Sequence, residues 1–366
     1  MHIFILAGEP SGDEYGASLM HELLAVDSNI QFSGIGGPLM ELQGLQSMQP
    51  LSKMSVMGFM EILKTLPFFM QLEKKIINHI LDMKPDKIIL IDYPGLNLRL
   101  CEKIKKQFET EIIYYISPQV WAWKESRVQI IKQYVDKLLV IFEFEKKWFH
   151  KKGVKAEYVG HPFLDVWNYD DTQIIKQYNL DLTKPILTLF PGSRIQEFKR
   201  HGKLLINSAL KIKEHIPELQ ILLGLHPNIQ YNKTIDSNII IVQDMPLKAL
   251  EIASAAIIAS GTATLQAAIM NIPSVVIYKM NTVSWLLTKK MIKVPFASMA
   301  NIIAEEEVFP EFLQNQANQD NIVQSVLNIL NQEVYRKKMM HKIQIIKNNV
   351  GGPGASKKAA QQIMEV

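Results

Sequence analysis

The chain has 366 residues, 48% of them apolar and 21% charged, which suits an ordinary globular protein and is long enough for two domains with separate cores. Its 40 Lys and Arg against 36 Asp and Glu leave a formal charge of +4, too mild to demand nucleic acid but compatible with an anionic membrane surface or a phosphorylated substrate. The single cysteine, Cys101, excludes an internal disulfide and any cysteine-cluster metal site, and suits a reducing cytosol.

Residues 2–7 predict a buried strand rather than a signal peptide, because the run is short and lacks a basic lead. Gly8 to Asp13 reads as a glycine-bearing loop, followed by a helix from about Tyr15 to Leu24. Further strands are expected at 32–35, 87–91, 111–116, 137–141 and 157–159, with helical spacing between them. Strands alternating with helices predict a parallel, doubly wound α/β sheet. No run reaches the ~18 apolar residues of a membrane span, so a cytoplasmic protein, peripheral to a membrane at most, is expected.

Residues 54–72 stand apart. Met54, Val56, Met57, Phe59, Met60, Ile62, Leu63, Leu66, Phe68, Phe69, Met70 and Leu72 make the segment apolar all round, with Lys74 and Lys75 behind. It reads as an internal helix pair broken at Pro67. The alternative is a surface that accepts acyl chains or dips into a bilayer through Val56, Met57, Phe59, Met60, Phe68, Phe69 and Met70.

The alternation restarts at Pro185, with strands expected at 186–190, 219–223, 239–242, 256–259 and 274–277. This predicts an N-terminal Rossmann-like domain over 1–165, a second over 166–333, and terminal helices over 334–366 that can pack back on the first. Ligands are expected in the cleft between the domains. In the second half, Ile186 to Phe190 runs into Pro191-Gly192-Ser193-Arg194 and then a helical pattern. Gly192 lets backbone approach a ligand, the helix start offers free N–H groups, and Arg194 adds a forked donor, which together suit a phosphate or diphosphate. The competing reading is an ordinary βα turn with Arg194 paired to a carboxylate. A second strand, 255–259, leads into Ser260-Gly261-Thr262-Ala263, so two such turns could share one sheet edge and hold a nucleotide.

The stretches AGEPSGDEYGASLM from Ala7, GIGGPLM from Gly34, MGFMEIL from Met57, IDYPGLN from Ile91, YISPQVWAW from Tyr115, VGHPFLD from Val159, LFPGSR from Leu189 and SGTATLQ from Ser260 run in one order over nearly the whole chain. On these motifs the chain resembles the lipid-A-disaccharide synthase family of inverting GT-B glycosyltransferases. The resemblance implies transfer of 2,3-diacylglucosamine from UDP-2,3-diacylglucosamine to 2,3-diacylglucosamine 1-phosphate at the inner-membrane surface. It implies no cofactor, no metal and no nucleic acid, and leaves a homodimer open. It puts the UDP-sugar on the C-terminal domain and the acceptor on the N-terminal one.

Inverting transfer needs a base on the acceptor hydroxyl and stabilisation of the departing diphosphate. Asp92, at a strand's carboxyl end and at the family's functional aspartate, is the expected base; its other reading is a turn residue before Pro94. Arg194, with Gly192 and Ser193, is expected to stabilise the diphosphate, aided by Gly261, Thr262 and Ala263. Asn301 matches a family asparagine near the diphosphate, and Met245 lies where related enzymes touch the uracil through backbone groups. Gly8, Ser11, Gly12 and Asp13 are expected in the acceptor loop, with helix capping as the alternative for Asp13. Trp121 and Trp123 read as core packing with sugar stacking as the alternative, and His161 as a structural histidine.

Four departures from the family pattern stand out. Gln266 replaces a usual glutamate, which weakens the expected ribose contact. Gly95-Leu96, Glu143 and Glu305-Glu306 replace Asp-Phe, Pro and Gly-Arg. The rival readings are another GT-B enzyme using UDP-N-acetylglucosamine, as in peptidoglycan transfer or epimerisation, and a non-catalytic lipid-binding relative.

Overall fold

The structure, a computed structural model, describes residues 1–54, 59–227, 229, 236–281, 285 and 294–365, with the side chains of 52 and 59–66 outside the description. Contacts divide the chain into two compact units, Met1–Trp167 with Val350–Val366, and Asn168–Asn349.

In the first unit the elements run β1 (His2–Ala7), α1 (Pro10–Val26), β2 (Gln31–Ile35), α2 (Pro38–Leu42), β3 (Leu45–Ser47), α3 (Phe59–Met83), β4 (Lys87–Ile91), α4 (Pro94–Lys105), β5 (Glu111–Tyr115), α5 (Val128–Tyr134), β6 (Lys137–Val140), α6 (Glu143–Lys151), β7 (Ala156–Tyr158) and α7 (Phe163–Val166). The sheet order is β3-β2-β1-β4-β5-β6-β7, parallel at every pairing. Its strands are near-continuous apolar runs because helices cover both faces. Phe4, Leu6, Ile88, Leu90, Ile112 and Tyr114 form one buried face with α3 and α4 residues.

The second unit runs α8 (Thr172–Tyr178), β8 (Ile186–Phe190), α9 (Ile195–His215), β9 (Gln220–Gly224), β10 (Ile239–Val242), α10 (Pro246–Glu251), β11 (Ala255–Ala259), α11 (Thr262–Ile269), β12 (Ser274–Tyr278), α12 (Met299–Ala304), β13 (Glu311–Leu313), α13 (Gln319–Asn331) and α14 (Glu333–Val350). Its sheet, β10-β9-β8-β11-β12-β13, is again parallel. Both sheets reverse direction beside their first strand, between β1 and β4 and between β8 and β11. That switch point is where open α/β sheets leave a crevice for ligands.

The last helix, α15 (Ala355–Met364), belongs to the first unit, whereas α14 stays with the second as far as Asn349. Asp165 at the end of α7 holds α15 in place. Its carboxylate accepts the backbone N–H of Ser356 at 2.6 Å and Ala355 at 3.3 Å, as well as that of Gly354. These are the unpaired donors of a helix start. Ser18 of α1 adds a hydroxyl bond to Ser356 at 2.9 Å.

Two sequence expectations change. The loop expected over Gly8–Asp13 is only Gly8-Glu9: α1 begins at Pro10, whose fixed φ and missing N–H suit a helix's first position. Ser11, Gly12 and Asp13 therefore lie in the first turn of a helix. The helix pair expected to break at Pro67 is one helix, α3, which continues through Pro67. Phe68 and Phe69 are half-buried against the core and meet edge to face at 5.3 Å, while Met70 is 64% exposed. Beyond them, Leu72, Ile76 and Ile80 are buried, and buried Glu73 pairs with Arg99 and Lys103 of α4, so packing against the sheet carries the helix past its proline. The acyl-contact residues Val56 and Met57, and the side chains of Phe59 and Met60, lie outside the described residues.

Replacing Asp165 by Ala should lower stability by about 1–3 kcal/mol, the cost of losing a helix cap and stranding buried donors. Chemical denaturation reads the loss, and amide exchange should rise first across 355–364.

Candidate active site

At the switch point of the first sheet, Gly8, Glu9, Ser11, Gly12 and Tyr15 face Ile91, Asp92, Tyr93 and Ile116 around a small hollow. The backbone there is unusual. Asp92 (φ 42°) and Tyr93 (φ 46°) are consecutive left-handed residues, and Ile116 (φ 63°), a β-branched residue, adopts the same region at the end of β5. Such conformations are costly and persist where surrounding bonds over-determine them. The Asp92 carbonyl accepts the Tyr114 hydroxyl at 2.5 Å and Asn97 Nδ2 at 2.8 Å, and its N–H donates to the Tyr115 carbonyl at 3.0 Å. The Tyr93 ring lies where a Cβ on Gly8 would be, 2.4 Å from its Cγ, so only glycine fits there. The Tyr93 hydroxyl donates to the Met54 carbonyl at 3.0 Å.

These bonds to its backbone fix Asp92 in place, and the residue lines the hollow. Burial pushes its pKa up, and the negative charges of Glu9 and Glu145 push the same way against an N–H from Tyr93, leaving it at about 7. Glu145 is itself buried and accepts four donors: Ser117 Oγ at 2.9 Å, Trp121 Nε1 at 3.0 Å, and the N–H groups of Ile141 and Phe142 at 3.2 Å. Burial still raises its pKa to about 7. The Glu145 bonds pin the loop after β5 that carries Ile116, and they make Trp121 part of the core.

In the second sheet, the turn after β8 holds Gly192 at φ 111°, and a Cβ there would come within 2.2 Å of Glu197 Oε2. Arg194 is the N-cap of α9. Its N–H meets Glu197 Oε2 at 3.3 Å, and its half-exposed guanidinium meets Glu197 Oε1 at a long 3.4 Å. Buried His201, about two helical turns further on, bridges the Pro191 carbonyl at 3.1 Å and the Lys279 backbone at 3.1 Å, bracing this turn against the end of β12. On the neighbouring strand β11, Gly261 (φ 157°) and Thr262 are exposed at the start of α11, and Ala263 and Gln266 are half-buried behind them. Both sequence-predicted turns thus flank one switch point, with two helix starts and a guanidinium at the same edge.

Other expected site residues do something else. Asp13 is buried inside the fold, and its carboxylate accepts the N–H of Gly37, Leu39 and Met40 at 2.8–3.2 Å, so it caps α2 instead of contacting an acceptor. Asn301 is fully buried: its Oδ1 accepts the N–H of Val308 and Phe309 at 2.9 Å, and its Nδ2 donates to the Phe309 carbonyl and to Glu311 at 2.8 Å. All four of its amide positions are spent, so its side chain braces α12 and has nothing left for a diphosphate. Met245 caps α10, where its N–H meets Asp244 at 3.1 Å and its carbonyl accepts Lys248 N–H at 3.0 Å. His161 is buried, accepts the Phe163 N–H at 3.2 Å, and burial lowers its pKa to about 4, so it is a neutral structural residue. Sequence reasoning missed Glu9, although the rule that selected Asp92, a carboxyl at a strand's carboxyl end, selects it too.

Two parallel sheets of this order, in two Rossmann-like units, make the GT-B fold. A UDP-N-acetylglucosamine 2-epimerase from Neisseria meningitidis shares the fold, with a TM-score of 0.69 at 13% identity and complete coverage of both chains. Residues 3–365 match the sequence model of the lipid-A-disaccharide synthetase family. The lipid-A-disaccharide synthase of Coxiella burnetii (strain CbuK_Q154) is 34% identical over 366 residues, covering 99% of this chain and 97% of that one. That of Geobacter sulfurreducens is 32% identical over 378 residues, covering 100% and 97%. The chain belongs to the lipid-A-disaccharide synthetase family, and it is a glycosyltransferase of lipid A biosynthesis.

Glu9→Gln removes one of the charges that disfavour ionisation of Asp92, so the Asp92 carboxyl should titrate at lower pH than in the parent. Infrared difference spectra of the carboxyl across pH 4–9 test this on the apoprotein, and an unmoved titration would show that Glu9 does not act on Asp92.

Proposed function

We propose that the protein transfers 2,3-diacylglucosamine from UDP-2,3-diacylglucosamine to the 6-hydroxyl of 2,3-diacylglucosamine 1-phosphate, giving the β-1,6-linked disaccharide 1-phosphate and UDP. Ionised Asp92 takes the hydroxyl proton. The freed oxygen pair attacks the donor's anomeric carbon, and the bond to the diphosphate breaks on the opposite face. Arg194 and the amides of the Pro191–Ser193 turn receive the charge on the leaving diphosphate, with the Gly261–Ala263 turn assisting. Among the described residues the Arg194 guanidinium holds one long bond, to Glu197, so little is lost when it turns to phosphate oxygens. Gln266 supplies the ribose contact.

The observation that carries the mechanism is Asp92: a carboxyl at the switch point of the first sheet whose pKa near 7 matches the task of a general base at neutral pH. Family membership supports the substrate pair. The acyl chains and the inner face of the cytoplasmic membrane are assigned to residues 54–72, of which Met70 stands open to solvent. The contact proposed is peripheral; among the described residues no helix is long and apolar enough to cross a membrane.

Incubating the purified protein with both lipids and a chelator, then weighing the lipid product, tests the reaction; no disaccharide would sink it. Because a protonated carboxyl cannot accept the proton, kcat/KM should fall about tenfold per pH unit below about 7. Asp92→Asn should lose on the order of 10²–10⁴-fold in turnover and the acid limb with it, while UDP-sugar binding persists. Arg194→Ala should cost about 10²–10³-fold in kcat.

A further inference from the structure

One part of the family-like stretch YISPQVWAW is not used by the site above. Trp121 turns inward to Glu145, but Trp123, two residues on, is 40% exposed. Lys124 follows in the left-handed region at φ 54°, and this places its ammonium 4.7 Å from the centre of the Trp123 ring. One helical turn later the Arg127 guanidinium lies 5.4 Å from the same ring. Two cations therefore share one aromatic plate.

Neither cation has a carboxylate within 4 Å among the described residues, and the acid between them in sequence, Glu125, is bound to Lys152. Burial disfavours the charged form of both, and for Lys124 the Arg127 charge adds to it. Two like charges held over one ring repel each other, and an anion placed between them relieves that repulsion. The pair is linked to the candidate base through one residue, Tyr114. Arg127 interacts electrostatically with Tyr114, whose hydroxyl donates to the Asp92 carbonyl at 2.5 Å.

We propose that Lys124 and Arg127, with Trp123 as a platform, form a subsite for a phosphate monoester carried on a sugar. A guanidinium fork and an ammonium suit the three oxygens of a monoester, and an indole face suits the apolar side of a pyranose. The inference rests on the reading above, in which the acceptor bears such a phosphate and meets Asp92 through its hydroxyl. The subsite holds the phosphate, Asp92 meets the hydroxyl, and the sugar ring spans the two. A phospholipid headgroup offers the same chemistry, so the test separates the two sources.

The full chain and the Lys124→Gln/Arg127→Gln double variant are assayed with the 1-phosphate acceptor and with the same lipid lacking its phosphate. The parent should prefer the phosphorylated acceptor in kcat/KM, and the variant should lose about tenfold to a hundredfold of that preference, the size of one or two charge-assisted hydrogen bonds. A merely structural role would slow both acceptors equally and leave the ratio unchanged, which overturns the proposal. In parallel, flotation with phosphatidylglycerol vesicles is measured. If the variant leaves the vesicles but keeps its preference for detergent-dispersed phosphorylated acceptor, the cations serve headgroups and the proposal fails. Should the parent make no disaccharide, the reaction falls but the subsite is still read by calorimetry with soluble glucosamine 1-phosphate. Binding that the variant loses upholds it, and binding equal in both, or absent from the parent, overturns it.

Discussion

The candidate site depends on a turn that most sequences would avoid. Asp92 and Tyr93 leave β4 as two left-handed residues in succession, a conformation that costs of order 1–3 kcal/mol for each residue. Tyr114, Tyr115 and Asn97 hold it by three hydrogen bonds to the backbone of one residue, Asp92, and the Tyr93 ring closes the gap over Gly8. The strain has a consequence for chemistry. It ends the strand abruptly, so the Asp92 carboxyl is presented at the sheet edge without being consumed by the backbone bonds that fix it.

In the second unit glycine does comparable work by different means. Gly192 is required both by its positive φ and by the carboxylate packed against it, so the turn and the Glu197 cap of α9 are one device. His201 fixes the carbonyl side of the same turn. What the turn leaves available is the start of a 21-residue helix and an arginine whose guanidinium, among the described residues, is bound by a single long contact. A preorganised set of donors costs little reorganisation when charge develops beside it.

Much of this was legible in the sequence, for a physical reason. Strands buried on both faces are continuous apolar runs ended by Gly, Pro or Asp, and those at 2–7, 87–91 and 186–190 appear where the pattern puts them. The three-residue edge strands β3 and β13 were not legible, because so short a run carries no period. The helical start at Pro10 was hidden by glycine, which reads as loop although Gly12 sits under Ala7 in a tight helix–strand contact. Asp13 and Asn301 failed for another reason. A side chain's partners lie 24–27 and 7–10 residues away, and a motif cannot tell a polar group that meets a ligand from one that is already satisfied. The half-burial of Phe68 and Phe69 is of the same kind, since an all-round apolar helix does not announce which face the sheet will take.

The two sheets share one strand order yet surround their switch points with opposite charge. The first gathers Glu9, Asp92 and Glu145, which repel one another and so keep a carboxyl protonatable near neutral pH. The second gathers helix starts and Arg194, which favour anions. Had one sheet carried both sets, the donors would have lowered the carboxyl's pKa and cost it basicity, and the acids would have weakened the hold on a diphosphate. Group transfer from a nucleotide sugar needs a proton acceptor and an anion stabiliser at once. Building each on its own sheet lets burial and local charge set one property without spoiling the other.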